Sequence, residues 1–231
     1  MKAELKREKV VSRLAPPSLA TTDETSNPGS RYFRFVRTTC GLLFRLYFRL
    51  EFCGLEHVPK QGSFIVAPNH QSYLDPFWVS VPFRSPLRYM TWDRFIYMPL
   101  LGDFIRTLGA FPVKLETGDR GALRHSLTHL QQGGRLMIFP EGGRTRTGQV
   151  EPFKPGVIRL AMDAKVPIVP VTIVGGYEAY NAHHLVPRPR KVKIIFHPPL
   201  HLPTCQGKDE MKAVLCEHAA RLQAIVESEL T

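Results

Sequence analysis

The sequence predicts an α/β fold, a mostly parallel sheet flanked by helices, and three observations carry that expectation. Apolar runs recur at 63–67, 87–91, 110–113, 135–139, 166–174 and 192–196, and short apolar runs bounded by turn residues read as strands. Helical candidates lie between several of them, notably 118–132, where Leu123, Leu127 and Leu130 recur at helical spacing. Strand and helix in alternation argue for parallel strands with helices packed on them. With 231 residues, 43% of them hydrophobic, the chain is long enough for one sizeable core.

Taken in order, residues 1–30 read as a disordered tail, since Lys2 to Lys9 is densely charged and Ala15 to Ser30 is rich in Pro, Ser, Thr, Asn and Asp. No apolar stretch follows the charges as a secretory signal requires. Residues 31–52 read as an amphipathic membrane-surface helix. On a helical projection Arg31, Arg34, Arg37, Arg45 and Arg49 fall within roughly 120°, with Tyr32, Val36, Leu43, Leu46, Tyr47 and Leu50 opposite. Such a helix suits the interface of an anionic bilayer; the competing reading packs it on its own domain with the arginines in water. The arginines interrupt it too often for a spanning helix. Residues 53–231 form the α/β domain. Within it Asp75-Pro76 has the chemistry of a helix start, and Asp209 to Leu230 reads as a closing amphipathic helix on Val214, Leu215, Leu222 and Val226.

Charge narrows the partners. Against 20 Asp and Glu stand 31 Lys and Arg, a net charge of +11, which attracts anionic surfaces in general. No recognised nucleic-acid motif accompanies it, so nucleic acid is not expected. The basic residues cluster at the aromatic helix, around Glu141 and at Arg188–Lys191. An anionic membrane surface, a phosphorylated ligand and an acidic protein partner each account for that distribution. Cys40, Cys53, Cys205 and Cys216 form no CxxC, which points to reduced thiols in a cytosolic setting. His125 and His129 lack a third ligand and read as a surface pair, so no metal site is expected. Trp78 and Trp92 read as core or as the wall of an apolar groove, and His183-His184 as loop.

Two clusters carry chemistry. The run 63–67 leads into Asn69-His70-Gln71-Ser72-Tyr73-Leu74-Asp75. Histidine titrates nearest neutrality and can take a proton from a hydroxyl; a carboxylate on the far ring nitrogen would fix its tautomer and stabilise the imidazolium. Residues five apart do not face each other on one helix, so the chain must turn between them. The alternative makes Asp75 only a helix cap. About seventy residues later, Phe139-Pro-Glu-Gly-Gly-Arg-Thr145 follows another strand, with glycines that let a ligand approach the backbone and an arginine fork suited to phosphate. The alternative there is a solvated turn. No GxxxxGK[ST] phosphate loop is present.

These residues resemble the glycerolipid acyltransferases typified by 1-acylglycerol-3-phosphate acyltransferase. Asn69, His70 and Asp75 match the NHxxxxD motif; Phe139 to Thr145 match FPEGTRS with Gly143 for threonine and Thr145 for serine. Gly109 to Lys114 is similar to the second motif region and Val166 to Val171 to the fourth. The resemblance, over roughly 52–200, implies that His70 deprotonates the free hydroxyl of a lysophospholipid acceptor and that Asp75 holds its ring. It implies that Arg144, with Lys114 and Lys154, binds the acceptor phosphate, and that Glu141 and Gly142 shape the loop or bond the glycerol. The acyl donor would be an acyl-CoA or acyl-carrier-protein thioester, with no tightly bound cofactor, and the enzyme would sit peripherally on the cytoplasmic face of a membrane, making phosphatidic acid. Two alternatives stand beside this: another lysolipid or amine-containing acceptor, and an inactive lipid-binding homologue.

Overall fold

The computed structural model describes residues 31–84, 87–99, 102, 105–106, 108–113, 120–205 and 207–230; the tail at 1–30 and Lys114 lie outside the described residues. Helix α1 (Arg31–Phe48) leads to β1 (Glu51–Cys53), then β2 (Phe64–Pro68), α2 (Asp75–Ser80), β3 (Arg88–Trp92), α3 (Asp93–Ile96) and β4 (Ala110–Val113). The second half runs α4 (Arg120–Gln131), β5 (Arg135–Met137), α5 (Gly156–Ala164), β6 (Ile168–Val174), α6 (Gly176–Tyr180), β7 (Lys193–Phe196) and α7 (Lys208–Glu227).

The seven strands form one sheet in the order β1-β7-β6-β2-β5-β3-β4. Every neighbouring pair is parallel except β6 with β7, which agrees with the alternating pattern of the sequence. Successive residues of β2 face opposite layers: Phe64 and Val66 pack with Trp78, Val79, Val171 and Phe196, whereas Ile65 and Ala67 pack with Leu136, Ile158, Leu222 and Val226. The first layer is covered by α1 and α2, the second by α4, α5 and α7. Burial on both faces explains why these strands read as continuous apolar runs.

Several details differ from the sequence reading. The N-terminal helix stops at Phe48 because Arg49 takes a left-handed conformation (φ 48°), a common helix ending. The next residues join the sheet instead, Glu51 N donating to Val192 O at 3.1 Å, and β1 is too short to give a periodic signal. Pro155 and Gly156 disguise the start of α5, whose Val157, Ile158, Leu160 and Ala161 are buried. Leu123 of α4 faces solvent while Leu130 is in the core. His125 and His129 are not a surface pair: His125 meets the Phe111 ring at 5.1 Å, and His129 Nε2 lies 3.3 Å from Arg135 O. Burial, with Arg88 nearby, pushes the His129 pKa down to about 4. Trp78 is core, its ring edge-on to Phe48 at 4.9 Å.

Candidate active site

Three loops meet at the C-terminal ends of three adjacent parallel strands, β6, β2 and β5, the position where open α/β sheets bind ligands. The loop after β2 carries His70 and Asp75. The His70 Nδ1 and Asp75 Oδ2 atoms are 2.9 Å apart, and the same oxygen accepts from the backbone N–H groups of Gln71 and Ser72, each at 2.7 Å. Although Asp75 opens α2, its side chain makes no cap bond to that helix. It turns back instead and closes the loop around the histidine. Gly176, which begins α6 after β6, lets the backbone lie against this carboxylate, since a Cβ there would be 3.3 Å from Asp75 Oδ1 and 3.1 Å from Gln71 Oε1.

The His70 ring is 16% exposed and stacks on Phe139, centroids 3.8 Å apart and planes 19° from parallel. Burial lowers its pKa most; the bond and charge of Asp75 raise it, and Arg144 lowers it. The net shift is downward, so the ring is neutral at physiological pH. With Nδ1–H donated to Asp75, Nε2 presents its lone pair and has no hydrogen-bond partner among the described residues.

The loop after β5 closes over the first. His70 N donates to Glu141 Oε1 at 2.5 Å, Glu151 N donates to Glu141 Oε2 at 3.0 Å, and Thr145 N donates to His70 O at 2.9 Å. Glu141 thus ties the two motifs together through backbone, and both its oxygens are occupied. Burial pushes its pKa up to about 7, with Asp75 and Glu151 adding to the rise, against the two N–H donors, which stabilise the charged form. Arg144 lies over the Tyr73 ring, Cζ 3.3 Å from the centroid, and its buried Nη1 has no hydrogen-bond partner among the described residues. A buried guanidinium N–H without an acceptor is costly unless a ligand supplies one. Gly142 has φ 75°, and a Cβ on it would come 2.5 Å from Lys154 Nζ, so this lysine lies directly over the loop. The Gly142 N–H is spent on Phe139 O at 3.0 Å.

His70, Asp75, Glu141, Gly142, Arg144 and Lys154 are therefore brought together, and Lys114 lies outside the described residues. Sequence reasoning matched Asn69 to a motif without giving it a role and missed Gln71 and Gly176. Asn69 Nδ2 donates to Ile173 O at 3.0 Å and its Oδ1 accepts from Ile173 N at 2.7 Å, so a side chain replaces a stretch of sheet ladder between β2 and β6. Gln71 Nε2 donates to Gly148 O at 3.4 Å, and its Oε1 accepts from Tyr177 N at 3.3 Å. The Gly175-Gly176 pair after an apolar run was the available signal, the same strand-then-glycine pattern as at Gly142-Gly143. No group of three or more His, Cys, Asp or Glu is placed to hold a metal among the described residues.

A buried carboxylate bonded to an imidazole with one nitrogen open, with a guanidinium alongside, thus sits at the strand ends of an α/β sheet. The Acyltransferase family model matches residues 49–174, and the chain belongs to that family. It is 25% identical over 165 residues to a chloroplastic 1-acyl-sn-glycerol-3-phosphate acyltransferase of Brassica napus, covering 67% of this chain and 46% of that one. It is likewise 25% identical over 172 residues to the 1-acyl-sn-glycerol-3-phosphate acyltransferase of Bacillus subtilis, covering 73% of this chain and 82% of that one. The chain spans less than half the length of the chloroplastic plant relatives it matches. Its fold is that of the 1-acyl-sn-glycerophosphate acyltransferase crystal structure from Thermotoga maritima, with TM-score 0.62, 24% identity, and 87% of this chain and 84% of that one covered.

Proposed function

We propose that the protein transfers a fatty acyl group from an acyl thioester to the free hydroxyl of 1-acyl-sn-glycerol 3-phosphate, giving phosphatidic acid. The observation that carries this is the 2.9 Å His70–Asp75 contact beside an Arg144 guanidinium with an unsatisfied buried N–H. His70 Nε2 takes the hydroxyl proton as the oxygen attacks the thioester carbonyl. The tetrahedral intermediate collapses with cleavage of the C–S bond, and the leaving thiolate takes the proton back from His70. A thioester is already activated, so no covalent enzyme intermediate is needed.

Arg144 and Lys154 bind the acceptor phosphate as paired cations. Glu141 acts by positioning, because both its oxygens already serve backbone donors. Gly142 lets Lys154 reach across the loop, and the neighbouring Gly143 N–H is the candidate donor to the developing oxyanion. Coenzyme A or acyl carrier protein supplies the thioester, and α1 holds the enzyme peripherally on an anionic membrane surface at the cytoplasmic face. Among the described residues no helix is long and apolar enough to cross a membrane.

The test is release of free thiol by the purified chain with lipid vesicles, either thioester donor, and lysophospholipids that differ in headgroup. Turnover is expected with the phosphate-terminated acceptor and at least about a thousandfold less with His70→Ala. Equal turnover by His70→Ala overturns the mechanism; preference for a zwitterionic acceptor overturns the substrate.

A further inference from the structure

Helix α1 seats on the domain through a narrow strip. Gly41 lies against Val81, where a Cβ would be 3.3 Å from Cγ1, and Phe44 and Phe48 pack into the core layer. The strip is offset from the apolar side of the helix. Phe35, Leu42, Leu43, Leu46 and Tyr47 are therefore left in solvent, Leu46 at 70% exposure. Beside them stands the loop joining α6 to β7, at whose tip Leu185 is 97% and Val186 67% exposed.

This tip is held in place. Tyr47 Oη donates to Pro187 O at 2.9 Å, fastening the loop to α1, and Arg188 N donates to Ala179 O at 2.8 Å, closing its base. Two consecutive large apolar side chains on a tethered loop add nothing to the core and oppose solubility. Between loop and helix lies an open apolar groove of about 500 Å³ whose walls include Leu43, Tyr47, Leu74, Val186 and Pro187. Leu74 adjoins Asp75, so the groove runs from the apolar face to the catalytic loop.

The surrounding charge identifies what this face meets. Arg188 and Arg190 follow the tip, both exposed, while Arg45, on the arginine side of the helix, lies over the Phe52 ring at 5.6 Å. Lys191 is not counted, because it pairs with Glu51 at 2.5 Å. A second copy docking by the same face would set arginines against arginines. An anionic bilayer offers apolar chains to the tip and phosphates to the rim.

We propose that Leu185 and Val186 form a membrane-inserting tip that, with the outer face of α1, docks the protein on an anionic lipid surface and opens the groove toward the bilayer. This rests on the reading of α1 as a membrane-surface helix and needs no turnover to be tested. The full chain is sedimented with phosphatidylcholine vesicles with and without phosphatidylglycerol, as wild type, as Leu185→Asp with Val186→Asp, and as Leu42→Asp with Leu46→Asp. Thermal melting and light scattering accompany each variant. The loop variant should melt like wild type and partition at least about tenfold less onto anionic vesicles. Partition within about twofold of wild type overturns the tip while leaving α1 to be judged by its own variant; if neither pair of changes matters, both readings fail. A wild-type dimer that the loop variant dissociates would make the face a protein interface and overturn the proposal.

Discussion

Replacing Asp75 by asparagine separates the charge of the orienting group from its geometry. In the native chain Oδ2 alone accepts from His70 Nδ1 and the backbone of Gln71 and Ser72, while the buried Oδ1 has no hydrogen-bond partner among the described residues. An asparagine whose oxygen stands at the Oδ2 position keeps all three bonds and places its amide beside Gly176. The loop and the histidine tautomer are retained, and only the negative charge is lost. That loss is small while His70 is neutral. It is large when the ring becomes an imidazolium, because charge centres roughly 4 Å apart at an effective dielectric constant near 20 interact by about 4 kcal/mol. The expected effect is about a thousandfold on kcat with KM nearly unchanged. Because Asp75 raises the His70 pKa against burial, the acid limb of the rate profile should also move to lower pH. Initial rates at saturating acceptor and thioester measure the effect, with thermal melting as the control for folding. A folded Asp75→Asn protein within about tenfold of wild-type kcat would refute the reasoning.

Two further predictions concern the loop after β5. Glu141 has its folded pKa raised to about 7 from an ordinary 4.5, so its titration stabilises the fold at low pH and that contribution is lost as pH rises through about 7. Wild type should therefore lose up to about 3 kcal/mol of stability relative to Glu141→Gln across that window; a pH-independent difference in denaturant unfolding would show that burial does not dominate this carboxyl. Arg144→Ala should raise KM for the phosphate-terminated acceptor by about tenfold to a hundredfold, the worth of a charge-assisted bond, and should affect a neutral acceptor much less. Equal KM changes for both acceptors would remove Arg144 from the phosphate site.

The parallel sheet was legible because buried strands leave apolar runs, unbroken in β2 and β4 and interrupted only by Arg88 and Thr91 in β3, Thr172 in β6 and Lys193 in β7. By contrast, β1 has three residues and no period to detect, and α5 begins at the Pro155-Gly156 pair that ordinarily marks a turn. In the site, the proximity of His70 and Asp75 and the loop carrying Arg144 were legible because few residue types offer an imidazole, a carboxylate or a guanidinium. Asn69 was legible only as a member of the NHxxxxD motif; that it and Gln71 stand in for backbone leaves no signature beyond a polar residue near a strand end. The 2.5 Å bond from His70 N to Glu141 likewise depends on two loops seventy-one positions apart, so no local pattern could reveal which backbone group Glu141 holds.

The sheet order explains why the motifs must lie so far apart in the chain. β2 is central, and its two neighbours, β5 and β6, are made much later in sequence. His70 therefore leaves one strand end, Arg144 leaves the next, and Gly176, which accommodates the Asp75 carboxylate, leaves the third. Each loop fixes another: Glu141 holds the His70 amide, Asn69 joins β2 to Ile173 of β6, and Gly176 closes on Asp75. A single loop holding an imidazole, a carboxylate and a guanidinium in one site would bury unpaired backbone. Distributing them over three parallel strand ends satisfies that backbone with side chains from the neighbouring loop.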